Sequence, residues 1–173
     1  MRFSRTLNLA TAILLATLTA HAADNPSDAQ IAHIAYTAGT LDITAAKVAL
    51  EKSKTADVRA FAENMVKDHQ AVNDKALALV KKLGVTPEDN DTSKGLVKQQ
   101  AEKQAELAKL SGGAFDKAYV DNEVAFHKAV IGSLEKTLIP STENAELKSL
   151  LQTGLKIFQG HEQHAEHIAA SLK

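Results

Sequence analysis

The sequence predicts an all-α protein, an antiparallel four-helix bundle with a short extra helix in the connection between the second and third bundle helices. Three observations carry that expectation. Alanine is abundant while aromatics make up 4% of the chain and prolines number three, at Pro26, Pro87 and Pro140, a composition that favours helix. Apolar residues recur at helical spacing through four long segments. Turn-forming residues separate those segments.

Asn25-Pro26-Ser27-Asp28 is a capping sequence, and Ala29 to Lys52 follows as the first helix. The face centred on Asp42 carries Ile31, Ala35, Ala38, Gly39, Ala45, Ala46 and Ala49, small residues that permit a close helix neighbour. After a short connection, Thr55 to Leu83 forms the second helix, with Thr55 as its cap and Val58, Phe61, Met65, Val72, Ala76 and Leu79 on the inner stripe. Asp68 and His69 flank that stripe on opposite sides. Gly84 and Pro87 end the helix. The stretch from Glu88 to Gly113 is too long for plain loop, and Ser93 to Leu110 reads as a short helix with a thin apolar set. The third bundle helix runs from Ala114 to Leu138. Ile139-Pro140-Ser141-Thr142 makes a turn, with Ser141 or Thr142 placed to cap the fourth helix, which continues to the C-terminus.

The third bundle helix holds the most informative stretch, Phe115 to Leu134. At about 100° per residue, Val120, Val124, Val130, Ile131 and Leu134 fall within roughly 60° of His127, and Glu123 lies about 40° away on the same side. Both polar groups therefore face inward, where a Glu or His needs a hydrogen bond, a charge partner or a metal. The fourth helix repeats the pattern: His161 is central in a stripe that includes Leu147, Gly154, Phe158, Ala165 and Ile168, while His164 lies about 60° aside and His167 about 120° away. The run HEQHAEH is thus divided between inner and outer members, and at most two of its histidines can share one inward site.

The first 22 residues read separately as a cleavable secretory signal. Arg2 and Arg5 precede the apolar run Leu7 to Ala20, and Ala20-His21-Ala22 fits the small-x-small cleavage rule. The run is shorter than the roughly 20 residues needed to span a bilayer, which disfavours a retained transmembrane anchor. Residues 23–173 then form one helical bundle domain, exported or periplasmic. The zero Cys count excludes lipidation, disulfides, thiolate ligands and a thiol nucleophile. Without the two signal arginines, 18 Lys plus Arg face 21 Asp plus Glu, a balance with no long block of either sign that argues against nucleic acid or an anionic membrane as partner.

A degraded duplication is also visible. Leu50-Glu51-Lys52-Ser53 before Thr55-Ala56-Asp57-Val58-Arg59 resembles Leu134-Glu135-Lys136-Thr137 before Asn144-Ala145-Glu146-Leu147-Lys148, which pairs the helices as two hairpins joined by a crossover. At about 1.5 Å per residue, Asp42 lies roughly 16 Å and His69 roughly 22 Å from the first hairpin connection, with Glu123 and His127 about 17 to 23 Å down from the same end and His161 within a turn or two. All four helices offer an inward polar residue at comparable depth. That convergence makes His69, His127 and His161, then Glu123, the candidate ligands of one metal ion, with Asp42, Asp68 and His164 as outer partners or substitutes. Imidazoles and carboxylates without thiolates suit Fe, Mn, Zn, Cu or Ni. The alternative is a hydrogen-bond network without metal, pairing Asp42 with a Tyr or His, Glu123 with His69, and His127 with His161.

The signal peptide, FAENMVKDHQAVN at Phe61 to Asn73, LSGGAFDKAYVDNEVAFHKAV at Leu110 to Val130 and the late HEQHAEH together resemble a ferritin-like family of small exported bacterial proteins of unknown function, often described as outer membrane proteins. The resemblance covers nearly all of the chain after the signal. It implies a ferritin-like four-helix bundle and no established activity. A standard di-iron carboxylate site pairs Glu with Glu-x-x-His motifs, and here the residues three before His69, His127 and His161 are Val66, Val124 and Phe158. That chemistry is not inherited. Hydrolytic signatures are also missing, with no HExxH and no Ser in a Gly-rich strained turn, so the reading leans away from an enzyme. Two functions stand: a metal-binding bundle, or a non-catalytic envelope or stress-related bundle that binds another protein through its outer faces.

Overall fold

The computed structural model describes residues 25–172, so the predicted signal peptide lies outside the described residues. Helix α1, Asp28–Lys52, begins where the Ser27 hydroxyl accepts the Gln30 N–H at 3.3 Å and the Gln30 side chain accepts the Ser27 N–H at 3.1 Å. This reciprocal box satisfies two of the donors that a helix start leaves free. Helix α2, Ala56–Leu83, ends at Gly84, whose φ of 65° is the left-handed conformation that glycine adopts without strain. Thr55 sits at the N-cap position, yet its hydroxyl caps nothing in α2 and donates instead to Asp116. The expected cap is thereby replaced by a tie between the first connection and a distant helix.

Helix α3, Asp91–Ala108, starts two residues earlier than the sequence predicts, because Asn90 and Ser93 form a second reciprocal box. Helix α4, Gly112–Ser133, then passes into a π-helical turn, Leu134–Leu138, and a last turn, α5, Ile139–Ser141. The expected break at Ile139 is absent. In a continuous α-helix the Pro140 ring would collide with the carbonyl four residues back, and widening the preceding turn, with Ile139 N–H donating to the Leu134 carbonyl, lets the helix run on to Ser141. Helix α6, Ala145–Ser171, is capped by Asn144, whose side-chain oxygen accepts the N–H groups of Glu146 and Leu147 at 2.9 and 3.0 Å. Ser141 and Thr142, the expected caps, lie too early; the Thr142 hydroxyl donates to the Leu138 carbonyl.

Contacts at the helix ends define the path of the chain. Asp28 at the start of α1 accepts N–H bonds from Glu143 and Asn144 just after α5, so α1 and α4 are antiparallel. Lys82 near the end of α2 pairs with Glu146 at the start of α6 at 2.7 Å, so α2 and α6 are antiparallel as well. Since α2 and α4 then run the same way, α3 must carry the chain back along the bundle. It does so beside α1, with Asn90 donating to the Gln30 carbonyl at one end and Lys52 donating to the Leu107 and Ala108 carbonyls at the other. The result is the predicted all-helical bundle of two hairpins and a helical crossover.

The apolar interior is divided in two. Phe61, Met65, Phe115, Tyr119 and Ile168 belong to one cluster, and Ile31, Val80, Ile131, Leu134 and Leu147 to the other. Between them lies a layer of buried polar residues.

Candidate metal centre

Each long helix places a polar side chain in that layer. Asp42 of α1 is 4% exposed, His69 of α2, Glu123 and His127 of α4 are each 1% exposed, and His161 of α6 is 7% exposed. Their positions follow from the helical stripes: each replaces an apolar residue on a face already committed to the core. The five residues named as inward from the sequence therefore meet. Asp68 lies at the rim of the layer, half-exposed, with its carboxylate against His161. His164 does not join. It is exposed on the surface of α6 with its ring edge on Phe61 at 5.4 Å, and His167 is exposed too, so a single histidine of HEQHAEH is inward.

The three buried imidazoles form a near-equilateral group. Ring centroids are 5.8 Å apart for His69 and His127, 5.2 Å for His69 and His161, and 5.6 Å for His127 and His161. One ligand-capable nitrogen from each lies within 4.8 Å of the other two, and Asp42, Glu123 and His127 form a second such group on the same spacing. Hydrogen bonds fix two of the rings. His127 Nδ1 lies 2.9 Å from the Glu123 carbonyl, an acceptor, so that nitrogen carries the proton and Nε2 keeps its lone pair. His161 Nε2 donates to Asp68 Oδ2 at 3.1 Å, which leaves its Nδ1 free. His69 directs Nε2 toward Asp42 Oδ2 at 3.5 Å, and its ring is held by stacking on Phe158, centroids 4.8 Å apart and planes 9° from parallel. Metal-bound histidines are oriented in this way, one nitrogen on the ion and the other on a carbonyl or carboxylate.

Several buried atoms here have no hydrogen-bond partner: both nitrogens of His69, both oxygens of Glu123, Nε2 of His127 and Nδ1 of His161. Two pairings expected of a metal-free network are not made. Glu123 does not bond His69, and the His127 and His161 rings stand 80° to each other without a hydrogen bond. Burial sets the charges. It lowers His127 to a pKa of about 4, lowers His161, and lowers His69 well below its ordinary value, the neighbouring imidazoles adding to the effect. All three rings are then neutral at pH 7, the form that ligates. Burial raises Glu123 to about 8, so that carboxyl retains its proton at neutral pH in the metal-free protein, and burial raises Asp42 well above the usual carboxylate range, where the nearby Glu123 charge pushes the same way. A cation placed among these groups would offset both penalties.

Sequence reasoning missed two neighbours of the site. Tyr119 is fully buried with its hydroxyl unpartnered, one turn before Glu123 on the same face, and the spacing Tyr119, Glu123, His127 was the available signal. Phe158 was legible as a stripe residue, but its stacking on His69 depends on which helices face each other.

Residues 15–168 match the family described as a domain of unknown function, DUF4142, and the chain belongs to that family. Among solved structures it is similar to CopM in the Cu(II)-bound form, with a TM-score of 0.65 and 15% sequence identity over 86% of this chain and 100% of that one. A likeness at that identity concerns the fold. No curated relative matches the chain.

Proposed function

We propose that this member of the DUF4142 family is an exported metal-binding bundle that holds one transition-metal ion on His69, His127 and His161. Glu123 and Asp42 lie beside the ion as a fourth ligand and its support, and Asp68 orients His161 from outside. The observation that carries the reading is the convergence of three buried imidazoles, each offering a ring nitrogen within 4.8 Å of the other two and each with a buried nitrogen that has no hydrogen-bond partner. An unsatisfied buried polar group costs about 1–3 kcal/mol, and several at one level of a well-packed bundle are accounted for together by one cation. Such an ion would supply Lewis acidity or a redox couple; the protein supplies buried ligands in fixed orientations. Imidazole donors suit copper, zinc, nickel and iron, and the likeness to a Cu(II)-bound bundle makes copper the first ion to test. The ferritin-like descent and the periplasmic address belong to the same proposal.

The test is elemental analysis of the chain from Ala23 to Lys173, exported without a histidine tag and purified without chelator. One metal per chain is expected, with the ion lost in His127→Ala and His161→Ala. A second reading, a purely structural polar layer, draws on the hydrogen bonds that already hold His127 and His161. It predicts that the same variants lose stability while the parent holds no metal and shows no thermal response to Fe, Mn, Zn, Cu or Ni.

A further inference from the structure

Among α1, α2, α3, α4 and α6, with Phe158 in its wall, the bundle contains a cavity of about 170 Å³. Small side chains make the room: Ala35, Ala38, Ala76 and Gly154 line it where larger residues would interdigitate. The π-turn contributes Leu134 and Leu138 to the wall. Protein interiors seldom hold voids much larger than a water molecule, because the atoms around one lose their dispersion contacts. Water is a poor filler for this space, since a buried water needs two to four polar partners. The polar side chains on the wall are Asn73, Thr92 and Ser133, and Asn73 already donates to the Tyr36 carbonyl at 3.4 Å and the Thr40 hydroxyl at 3.2 Å. Thr92 lies with Ala129 at the exposed rim, which places the opening between α3 and α4.

We propose that this cavity is a binding site for one small apolar organic molecule, of about six to eight heavy atoms, since an apolar cavity of about 150 Å³ already accepts benzene. The guest is uncharged and needs no hydrogen-bonding group: the interior offers methyl and methylene surface and the Phe158 ring. That same ring stacks on His69, so the guest and the histidine layer share one wall. The proposal does not depend on the metal reading, because the wall is almost wholly apolar, with Asn73, Thr92 and Ser133 its polar side chains, and no residue named as a metal ligand lines it.

The experiment is a benzene titration followed by methyl resonances of the chelator-treated protein. Saturable shifts confined to Val72, Leu134, Leu138 and Leu151 are expected, with a rise in thermal midpoint. Ala35→Leu fills the space and should weaken benzene binding about tenfold or more. If that variant does not fold, Gly154→Ala serves in its place. Its added Cβ would meet Phe158 at 3.6 Å and Val72 at 4.0 Å, ordinary contact distances, so it keeps the fold and should weaken binding by a smaller factor. Shifts that do not saturate, that spread over the surface, or that persist at full affinity in the filled variants would overturn the proposal. So would water resonances in contact with the lining methyls.

Discussion

Glu123 is the residue on which the polar layer's pH behaviour turns, being buried with neither oxygen hydrogen-bonded. Its pKa is raised from 4.5 to about 8, so between those values the folded chain holds a proton that the unfolded chain has lost. Stability contributed by that proton is present at low pH and declines as pH rises through the folded pKa. The histidines act in the opposite sense. His127 is lowered from 6.5 to about 4, so as pH falls through that window the unfolded chain takes up protons that the folded one refuses, and stability drops. The metal-free protein should therefore be most stable near pH 6.5 and weaken on both sides. Glu123→Gln keeps the shape and removes the alkaline loss, and chelator-treated Glu123→Gln should exceed the parent at pH 8.5 by on the order of 1–2 kcal/mol. Chemical denaturation at pH 5.5 and 8.5 measures this; an equal difference at both values would place the effect in packing and not in titration. A bound cation should abolish the parent's alkaline loss, because it favours the ionised carboxylate.

At the scale of elements, α1 decides how closely the bundle closes, and Gly39 is its tightest point. A Cβ there would lie 2.5 Å from the Asn73 side-chain oxygen, so alanine must displace a buried amide that bonds the Tyr36 carbonyl and the Thr40 hydroxyl. Alanine gains up to about 1 kcal/mol of helix propensity over glycine, and losing two hydrogen bonds costs about 2 kcal/mol. Gly39→Ala should thus be destabilising by about 1 kcal/mol, and Gly39→Ala with Asn73→Ala should recover part of the loss. Additive effects in that double-mutant cycle would show that the close approach is not what Gly39 is for. The small-residue face of α1 was legible in the sequence, as were the inward positions of Asp42, Glu123, His127 and His161, because each is a matter of one helix's own periodicity. Partner identity was not. That Asp68 holds His161, that Asp42 faces His69, and that Thr55 bonds Asp116 instead of capping α2 all depend on which helices meet and at what height. The π-turn was equally hidden: Pro140 announces a disturbance, but whether the chain breaks or widens is decided by how Leu134 and Leu138 pack.

Across the whole molecule the crossover α3 is the element least committed to the core. Over its 18 residues the buried side chains are Ser93, Gln100 and Leu107, and Val97 remains 49% exposed. Elements that bury so little open locally at a lower free energy than the global unfolding. One residue compensates at the far end. Lys52 donates to the Leu107 and Ala108 carbonyls at 3.0 and 2.8 Å and stands 5.1 Å from the centre of the Phe115 ring, so a positive charge closes the C-terminus of α3 and ties it to α1 and α4. Lys52→Met keeps most of the stem and removes the charge, and should lower stability by about 1–2 kcal/mol. The loss should be local. Hydrogen exchange is expected to show α3 amides less protected than those of α1, α2, α4 and α6 in the parent, and further exposed in Lys52→Met while α2 and α6 amides near the histidine layer keep their protection. Because the cavity opens between α3 and α4, the same variant should speed benzene exchange without weakening its affinity by more than about threefold. If α3 instead proved as protected as its neighbours, or if Lys52→Met loosened every helix alike, the crossover would be an integral wall of the bundle, and access to the apolar cavity would have to come from motion of the π-turn in α4.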